Sequence, residues 1–362
     1  MRIIISGGGS GGHVYPAIAI ADALKEKAVE DILFVGASDK MEMEKVPAAG
    51  YKIEGLWISG LHRQRIWRNV SFPFKLISSL LKAKKIIEKF KPDVVVGVGG
   101  FASGPVLKMA QMKSIPTLIQ EQNSYPGITN KLLAKDASKV CVAYPGMERF
   151  FDSSKLIYTG NPVRKDLINI EALKAEGIDY FDLDQNKKTV LIFGGSLGAR
   201  SINDALYHNR SQMQELRDTQ FLWQVGKVYY DEFKNSELQQ IPNIKVLPFI
   251  DRMDLAYAAA DVVICRAGAL TISEMCIVGK PAVFVPSPNV AEDHQSKNAQ
   301  SLVENDAAWM VKDSELKEQI PQKAIKLLKD IDAQKRLSVN MRKMAMPDAG
   351  NKIAEEIIKL IR

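Results

Sequence analysis

Short apolar runs alternate along this chain with longer segments in which apolar residues recur at helical spacing. Apolar runs of about four to eight residues are typical of buried strands, and their alternation with helices is typical of βαβ units. The predicted strands lie near 2–6, 32–35, 93–97, 116–119, 139–143, 189–193, 220–225, 244–247, 261–265 and 281–285. The predicted helices lie at 15–28, 201–216 and 269–278, with an amphipathic one from Asn351 to Arg362. The pattern indicates an α/β fold with parallel sheets.

The length of 362 residues exceeds what one hydrophobic core usually serves, so two domains are expected. Turn-forming residues are concentrated from Gly160 to Arg164, between the two series of strands. We therefore predict an N-terminal domain of residues 1–163 and a C-terminal domain of residues 164–344. The helix near the end of the chain, within 345–362, could pack on either domain.

Two of the predicted strands run directly into glycine-rich turns that lead into helices. The first turn runs from Gly7 to His13 and the second from Gly194 to Arg200. Glycine lets the backbone approach a ligand closely, and the N–H groups and positive dipole end of a helix start attract anions. Two such turns in one chain predict two phosphorylated ligands.

The spacing Gly7-x-Gly9-x-x-Gly12 also fits a dinucleotide-binding fingerprint, which would indicate a dehydrogenase. Such a site needs an acidic residue at the end of the second strand to bind a ribose, and residues 34–38 contain none. A nicotinamide enzyme would also have no evident need for the second glycine-rich turn. A dehydrogenase is therefore disfavoured.

His13 follows the first glycine-rich turn at a helix start, where it would face the ligand. Because an imidazole titrates near neutral pH, His13 could remove a proton from a substrate. It could equally cap the turn or donate a hydrogen bond to a phosphate. Its position predicts proximity to the ligand and leaves both roles open.

Other predicted strands also end in polar or glycine-rich segments, at the edge where α/β sheets bind ligands. Gly97 to Pro105 is a further glycine-rich turn, expected to share a site with the first. Gln120 to Asn123 carries four polar side chains that are costly to bury unless paired. Arg266 to Glu274 begins a helix that suits a diphosphate, with Glu274 placed to accept bonds from ribose hydroxyls. The alternative is an ordinary helix cap.

Positive charge is concentrated in the first half. Residues 1–160 contain 22 Lys and Arg against 14 Asp and Glu, whereas the remainder contains 27 against 28. The first half is therefore expected to face something anionic, either nucleic acid or an acidic membrane surface. No apolar run reaches the roughly 20 residues of a membrane-spanning helix. The three cysteines are expected to be reduced thiols of a cytosolic protein, and neither they nor the four histidines have metal-ligand spacing.

The most basic segment runs from His62 to Lys91, with nine Lys and Arg, one acidic residue and interleaved aromatic and aliphatic residues. This composition is typical of a helix that lies in a membrane interface with its cations on lipid phosphates. The alternative is an amphipathic helix packed on its own sheet, and the positive surplus of the first half favours the membrane. The predicted membrane patch comprises Trp67, Phe72, Phe74, Lys75, Leu80 and Lys82.

In this order, the motifs resemble those of the MurG family over essentially the whole chain. The matching stretches are GGGSGGHVYPAIAIA, KPDVVVGVGGFASGP, EQNSYPGITNKLLA, GNPVR, GGSLGAR and CRAGALTISE. Members of that family are peripheral membrane glycosyltransferases of peptidoglycan synthesis, with links to cell shape and division. They move N-acetylglucosamine from UDP-GlcNAc to undecaprenyl-pyrophosphoryl-MurNAc-pentapeptide (lipid I), giving lipid II.

The resemblance implies a GT-B fold: two Rossmann-like doubly wound domains separated by a cleft, with the last helix returning to the first domain. It implies an inverting transfer to the 4-hydroxyl of MurNAc, without an obligatory metal or other cofactor. It also implies a location on the cytoplasmic face of the inner membrane. The implied partners are UDP-GlcNAc, lipid I, anionic lipid and cell-wall synthesis or division proteins, and no nucleic acid.

The resemblance also implies roles for individual residues, with UDP-GlcNAc on the second domain and the acceptor on the first. His13 is the leading candidate for the general base. The residues implied for substrate binding are Ser10, Gly11, Gly12, Asn123, Arg164, Ser196, Ile250, Ala269, Leu270, Thr271, Ile272, Ser273, Glu274 and Gln295. Those implied for the acceptor diphosphate are Gly99, Gly100, Ser103 and Gly104. The choice between His294 and Gln295 stays open because the loop before them is longer than usual.

Three residues depart from the usual pattern of that family. Ser10 replaces threonine and keeps the hydroxyl, whereas Leu197 replaces glutamine and removes a side-chain bond to the donor. Gln120 replaces histidine, which argues against acid–base chemistry at that strand end. The rival interpretations are a transferase with a diacylglycerol-type acceptor, a UDP-GlcNAc epimerase and a non-catalytic nucleotide-sugar sensor at the membrane.

Overall fold

The computed structural model describes residues 1–60, 70–290 and 293–361. The chain forms two compact units, one of Met1–Arg164 with Met346–Arg362 and one of Lys165–Ala345. Each unit is built around one parallel sheet. The assignment of acceptor and donor to these units stays a prediction.

The described part of the first unit contains a seven-stranded parallel sheet in the order β3-β2-β1-β4-β5-β6-β7. Its strands are β1 (Arg2–Ser6), β2 (Asp31–Ala37), β3 (Lys52–Leu56), β4 (Val94–Gly97), β5 (Thr117–Glu121), β6 (Lys139–Val142) and β7 (Leu156–Tyr158). Ile4 enters one hydrophobic core, whereas Ile3 and Ile5 enter another. Because successive side chains of a strand point to opposite faces, the sheet is covered on both sides.

The described part of the second unit contains a six-stranded parallel sheet in the order β10-β9-β8-β11-β12-β13. Its strands are β8 (Lys188–Phe193), β9 (Thr219–Gln224), β10 (Ile244–Leu247), β11 (Val262–Cys265), β12 (Ala282–Phe284) and β13 (Trp309–Met310). Leu191 and Phe193 pack in one core, and Val190 and Ile192 in the other. Both sheets therefore have the two-sided cover of a doubly wound fold.

Helices connect the strands in both units. The first unit has α1 (Gly11–Glu26), α2 (Glu42–Ala48), α3 (Phe72–Phe90), α4 (Ser103–Met112), α5 (Ile128–Leu133) and, from the end of the chain, α15 (Ala349–Lys359). The second unit has α6 (Lys174–Tyr180), α7 (Arg200–His208), α8 (Arg210–Glu215), α9 (Tyr230–Lys234), α10 (Met253–Ala259), α11 (Ala269–Val278), α12 (His294–Glu304), α13 (Leu316–Lys329) and α14 (Ile331–Lys343).

All ten strands predicted from the sequence are present, but β3, β7 and β13 were not predicted. All three are edge strands. β3 carries Lys52 and Glu54, and β13 has only two residues. An edge strand pairs on one side and needs less apolar sequence, so it lacks the signal of a central strand.

The prediction of one helix over 201–216 is wrong, because the segment forms α7 and α8 on either side of Asn209. The Asn209 side-chain amide donates to the carbonyl oxygens of Ala205 (2.7 Å) and Lys317 (2.9 Å). Such local bonds compete with the helical hydrogen-bond pattern, which explains the interruption. The partner at residue 317 is distant in sequence, so the pattern around 209 could not reveal it.

The helix predicted at the end of the chain is present as α15 and packs against α1 in the first unit. Ile353, Ala354 and Ile357 are fully buried in the same core as Ile20 and Leu24 of α1. Lys27 and Glu355 form an ion pair at 3.0 Å beside this contact. The last helix of the chain therefore belongs to the first unit.

We expect Ile353→Ala to lower the free energy of unfolding of the first unit by about 2–5 kcal/mol, because it leaves a cavity between α15 and α1. Urea unfolding followed by circular dichroism measures the change. Lys352→Ala, on the exposed side of the same helix, is the matched control and should stay within about 0.5 kcal/mol of the wild type. Equal effects of the two substitutions would contradict the packing described here.

Candidate active site

Both sheets have the strand order that creates a ligand-binding crevice. In the first unit the order reverses between β1 and β4, where Ser6 pairs with Gly97 at the ends of the two strands. In the second unit it reverses between β8 and β11, where Phe193 pairs with Cys265. Open α/β sheets bind ligands outside the carboxyl ends of the strands at such a point. The three glycine-rich turns predicted from the sequence follow β1, β4 and β8, and the predicted diphosphate segment that starts at Arg266 follows β11.

The two glycine-rich turns of the first unit are in direct contact. A β-carbon on Gly7 would lie 2.2 Å from Cγ2 of Val98, and one on Gly100 would lie 2.2 Å from the carbonyl oxygen of Gly8. Neither distance is sterically possible, so both positions require glycine. The structure therefore brings these two turns into contact, and their use as one ligand site stays a prediction.

His13 lies in the first turn of α1 and is half-buried beside Gly99. Its Nδ1 is 3.2 Å from the hydroxyl oxygen of Ser10, the residue immediately before the helix. Gly99 has a φ of +90°, and a β-carbon there would lie 3.0 Å from Nε2 of His13. Gly99 thus leaves room for the imidazole. Ser103 differs from its predicted role, because its buried hydroxyl donates to the carbonyl oxygen of Gly100 at 2.9 Å and stabilises the turn.

Glu121, at the end of β5, organises the segment that carries Asn123. Its buried carboxylate accepts bonds from the backbone N–H of Asn123 (3.0 Å) and of Gly127 (3.1 Å). It also accepts from the side-chain amides of Asn123 (3.2 Å) and Asn130 (2.8 Å). Burial raises the pKa of the Glu121 carboxyl above its ordinary value, and the four donors act in the opposite direction. Asn130 was not predicted, because its role depends on a carboxylate nine residues earlier.

Buried amides continue this polar network. Gln122 donates to the carbonyl oxygen of Val98 at 2.7 Å and to the side chain of Gln120. Gln120 donates to Asn161 Oδ1 at 3.0 Å, and Asn161 Nδ2 returns a bond to the carbonyl oxygen of Gln122 at 3.0 Å. Gln120 is thus hydrogen-bonded inside the protein.

The glycine-rich turn of the second unit is held against the end of β9. Gly198 has a φ of +77°, and a β-carbon there would lie 2.0 Å from the carbonyl oxygen of Val225. The buried side chain of Gln224 donates to the carbonyl oxygen of Gly195 at 2.8 Å and accepts from the Ile250 N–H at 3.1 Å. Sequence reasoning missed Gln224, although a polar residue that closes an apolar strand is a usable signal. Ser196 is exposed at the top of this turn.

The start of α11 lies beside that turn, across the β8–β11 pair. Ala269, Leu270 and Thr271 are half-buried in its first turn. The carboxylate of Glu274 accepts a bond from the buried Tyr257 hydroxyl at 3.0 Å. Two predicted ligands have other partners or surroundings: the half-buried Ser273 donates its hydroxyl to the carbonyl oxygen of Ala269 in the same helix, and Ile272 is buried with its N–H bonded to the carbonyl oxygen of Gly268.

The remaining predicted donor residues occupy three different places. Ile250 has a buried side chain, so a ligand would meet its backbone. Gln295, in the first turn of α12, accepts a bond from the backbone N–H of Ser287 at 2.9 Å and so closes the loop after β12. Its neighbour His294 is half-buried. Arg164 is the last residue of the N-terminal segment of the first unit, and the second unit begins at Lys165.

Arg266, which begins the predicted diphosphate segment, is engaged within the second unit. Its guanidinium donates to Asp313 Oδ1 at 2.5 Å, to the Ser201 hydroxyl oxygen at 2.6 Å and to the carbonyl oxygen of Pro286 at 3.0 Å. It therefore ties the start of α7 to the loop after β12. Within 1–60, 70–290 and 293–361, no group of three or more His, Cys, Asp or Glu side chains is placed to hold a metal ion.

The predicted membrane patch is changed by the structure. Phe74, Ile77 and Leu81 form an exposed apolar stripe on α3, with 69%, 57% and 59% of their surfaces accessible. Phe72 packs against the core, and Leu80 is half-buried. Lys75 donates to the Ser59 hydroxyl at 3.0 Å, and Lys82 to the carbonyl oxygen of Gly55 at 2.7 Å. Trp67 lies outside the described residues.

The exposed stripe does not belong to a membrane-spanning segment. No helix in the described part of the chain is long and apolar enough to cross a bilayer. Lys84 and Lys85 are exposed on α3 at helical spacing from Ile77 and Leu81, which places cations beside the stripe.

Comparison with known proteins identifies the family. Residues 3–142 match the model of the glycosyltransferase family 28 N-terminal domain, and residues 189–355 match that of the glycosyltransferase family 28 C-terminal domain. The chain belongs to glycosyltransferase family 28. Each matched range contains one of the two strand-order reversals and its glycine-rich turn.

Relatives of this family 28 glycosyltransferase match it along its whole length. A protein of Christiangramia forsetii is 53% identical, over 100% of this chain and 98% of the relative. A protein of Flavobacterium psychrophilum is 55% identical, over 99% of this chain and 98% of the relative. Both are named UDP-N-acetylglucosamine--N-acetylmuramyl-(pentapeptide) pyrophosphoryl-undecaprenol N-acetylglucosamine transferase. The crystal structure of Acinetobacter baumannii MurG is 28% identical over 99% of each chain, with a TM-score of 0.75.

These similarities confirm the predicted resemblance to the MurG family, the fold class and the enzyme class. The two units are Rossmann-like α/β units of the GT-B type, and the chain is a glycosyltransferase. The roles of individual site residues stay predictions, which the geometry described above makes more specific.

The raised pKa of Glu121 predicts a pH dependence of stability. Because burial makes ionisation of Glu121 less favourable in the folded state than in the unfolded state, its contribution to stability is fully present below the ordinary pKa of 4.5 and is lost as the pH rises through the folded-state pKa. The stability of the wild type relative to Glu121→Gln should therefore fall from acid to neutral pH. Urea unfolding of both proteins over that range measures this slope. A constant difference, or one that grows with pH, would contradict it.

Proposed function

We propose that this glycosyltransferase moves N-acetylglucosamine from UDP-GlcNAc to the MurNAc 4-hydroxyl of lipid I, forming lipid II for peptidoglycan synthesis. The observation that carries the proposal is the presence of a phosphate-binding turn and helix start at the strand-order reversal of each sheet, in a chain similar along its full length to transferases of this name. One such site suits the donor diphosphate and the other the acceptor diphosphate.

The donor is proposed to bind the second unit. Its diphosphate lies at the turn that carries Ser196 and at the start of α11, where helix N–H groups and the positive dipole end favour an anion. Glu274 accepts from the ribose hydroxyls with its orientation fixed by Tyr257. The uracil contacts the backbone of Ile250, beside Gln224. Gln295, Asn123 and Arg164 are the further proposed donor ligands.

The acceptor is proposed to bind the first unit. Its diphosphate lies at the N–H groups that begin α1, from Ser10 to Gly12, and at the adjoining turn of Gly99, Gly100 and Gly104. The first N–H groups of a helix have no acceptor within that helix, so they can bind phosphate oxygens. His13, in the first turn of α1 and beside Gly99, then lies next to the acceptor sugar.

An inverting transfer needs one displacement at the anomeric carbon and one base. In this proposal the neutral imidazole of His13 removes the proton of the MurNAc 4-hydroxyl as the oxygen attacks. The departing UDP gains negative charge, which the N–H groups at the start of α11 and the guanidinium of Arg164 stabilise. Glu121 holds the segment of Asn123 and takes no part in proton transfer, since four donors already occupy its carboxylate.

We expect His13→Ala to lower the turnover number by about 10²–10⁴-fold, because it removes general-base assistance, while the Kd for UDP-GlcNAc stays within about twofold. The measurement is transfer of labelled N-acetylglucosamine from UDP-GlcNAc to a short-chain lipid I analogue, with UDP-GalNAc as a control donor. Donor affinity is measured separately by calorimetry.

The matched control for His13→Ala is His208→Ala, which removes an exposed imidazole at the end of α7 and should leave turnover unchanged. Turnover by His13→Ala at the wild-type rate would reject His13 as the base. If the wild type bound UDP-GlcNAc but formed no product, the acceptor assignment would be wrong. An epimerase, a transferase to another lipid or a sensor would then take its place.

The proposed lipid acceptor requires contact with a membrane, and the stripe of Phe74, Ile77 and Leu81 suits that contact. Its apolar side chains can enter the interface while Lys84 and Lys85 meet lipid phosphates, each cation contributing about 1 kcal/mol. The protein is thus proposed to bind peripherally to the anionic cytoplasmic face of the membrane.

We expect the triple variant Phe74→Ser, Ile77→Ser, Leu81→Ser to bind anionic vesicles on the order of a hundredfold more weakly, because three apolar side chains no longer enter the interface. Co-sedimentation with phosphatidylglycerol vesicles measures this. The triple variant Ile168→Ser, Ile331→Ser, Val339→Ser removes exposed apolar side chains from the second unit and should bind as the wild type does. Equal loss by both would show that the stripe is not the contact.

A further inference from the structure

A buried carboxylate lies directly behind the first glycine-rich turn. Glu42 begins α2 and has only 1% of its surface exposed. Its Oε2 accepts a bond from the backbone N–H of Gly9 at 2.9 Å, and its Oε1 accepts one from the N–H of Ala37 at 3.0 Å. One side chain therefore joins the turn after β1 to the end of β2.

The turn is shaped around this carboxylate. Gly8 has a φ of +147°, and a β-carbon there would lie 2.1 Å from Oε1 of Glu42. A β-carbon on Gly36, in β2, would lie 2.5 Å from Cγ of Glu42. Two glycines thus make room for one acidic side chain. Burial of a carboxylate is costly unless hydrogen bonds compensate for lost hydration, and here both oxygens have N–H donors.

The bond to Gly9 determines which backbone groups of the turn remain for a ligand. The Gly9 N–H points to Glu42 and away from the site, so the donors available to an anion begin at Ser10 and continue into α1. The same bond fixes the backbone immediately before Ser10 and His13. Glu42 itself cannot contact a substrate, because it is buried and both of its oxygens are occupied.

We propose that Glu42 is a positioning residue of the acceptor site. Through the Gly9 N–H it holds the turn in the shape that presents the first N–H groups of α1 and the imidazole of His13 to the acceptor diphosphate and sugar. This inference rests on the proposed function for the identity of the acceptor, but the link between Glu42 and the turn does not depend on that identity.

The test is Glu42→Gln, which keeps the size of the side chain but leaves only one oxygen for two N–H donors. We expect the KM for the lipid I analogue to rise at least tenfold and turnover to fall, while the KM for UDP-GlcNAc stays within about twofold. A role limited to general stability would change both substrates together. Glu44→Gln, on the exposed side of α2, is the matched control and should leave both KM values unchanged.

A second measurement does not use activity. Hydrogen exchange of the Gly9 amide should be slow in the wild type and in Glu44→Gln, and at least tenfold faster in Glu42→Gln, with amides of the second unit unchanged. Absence of transfer by the wild type would reject the proposed function and leave this exchange result to decide the role of Glu42. Unchanged exchange at Gly9, or equal changes in both KM values, would overturn the positioning role. Thermal unfolding of each variant identifies any that fails to fold.

Discussion

The hydrogen-bond register between the central parallel strands is the constraint on which the rest of this structure depends. Ser6 pairs with Gly97 in one sheet and Phe193 with Cys265 in the other, so two strand ends stop at the same level in each unit. The chain continues from these ends to opposite sides of the sheet, which opens a crevice between the departing segments. Each phosphate-binding turn, and the helix that follows it, takes its place from this register.

The glycine-rich motifs also permit close packing of the backbone. Gly100 meets the carbonyl of Gly8, and Gly198 meets that of Val225, at separations that admit no side chain. Gly100 allows the two turns of the first unit to touch, and Gly198 allows the turn after β8 to touch the end of β9. Gly195 instead has open space around it, where a ligand could approach. A motif that reads in sequence as a phosphate site is therefore also a packing site.

Buried polar side chains behind the turns fix the shape of both sites. Glu121 gathers four N–H donors, and Gln224 joins the turn at Gly195 to the backbone of Ile250. Glu42 has the same function at Gly9. In each case a group that would be unfavourable to bury alone is stabilised by backbone groups of a turn, so the turn and the buried group hold each other in place.

The sequence by itself determined the parallel α/β fold, ten of the strands and the glycine-rich turns, because buried strands and turns depend on local composition. It also placed His13 beside the first turn, and its motifs gave the family. Only the tertiary structure revealed β3, β7 and β13, the break at Asn209, and which face of α3 carries Phe74, Ile77 and Leu81. Only it showed that Ile272 and Ser103 turn inward and that Glu42 and Gln224 support the sites. Apart from the bond of Ser103 to Gly100, these features depend on contacts between residues distant in sequence, which local pattern cannot specify.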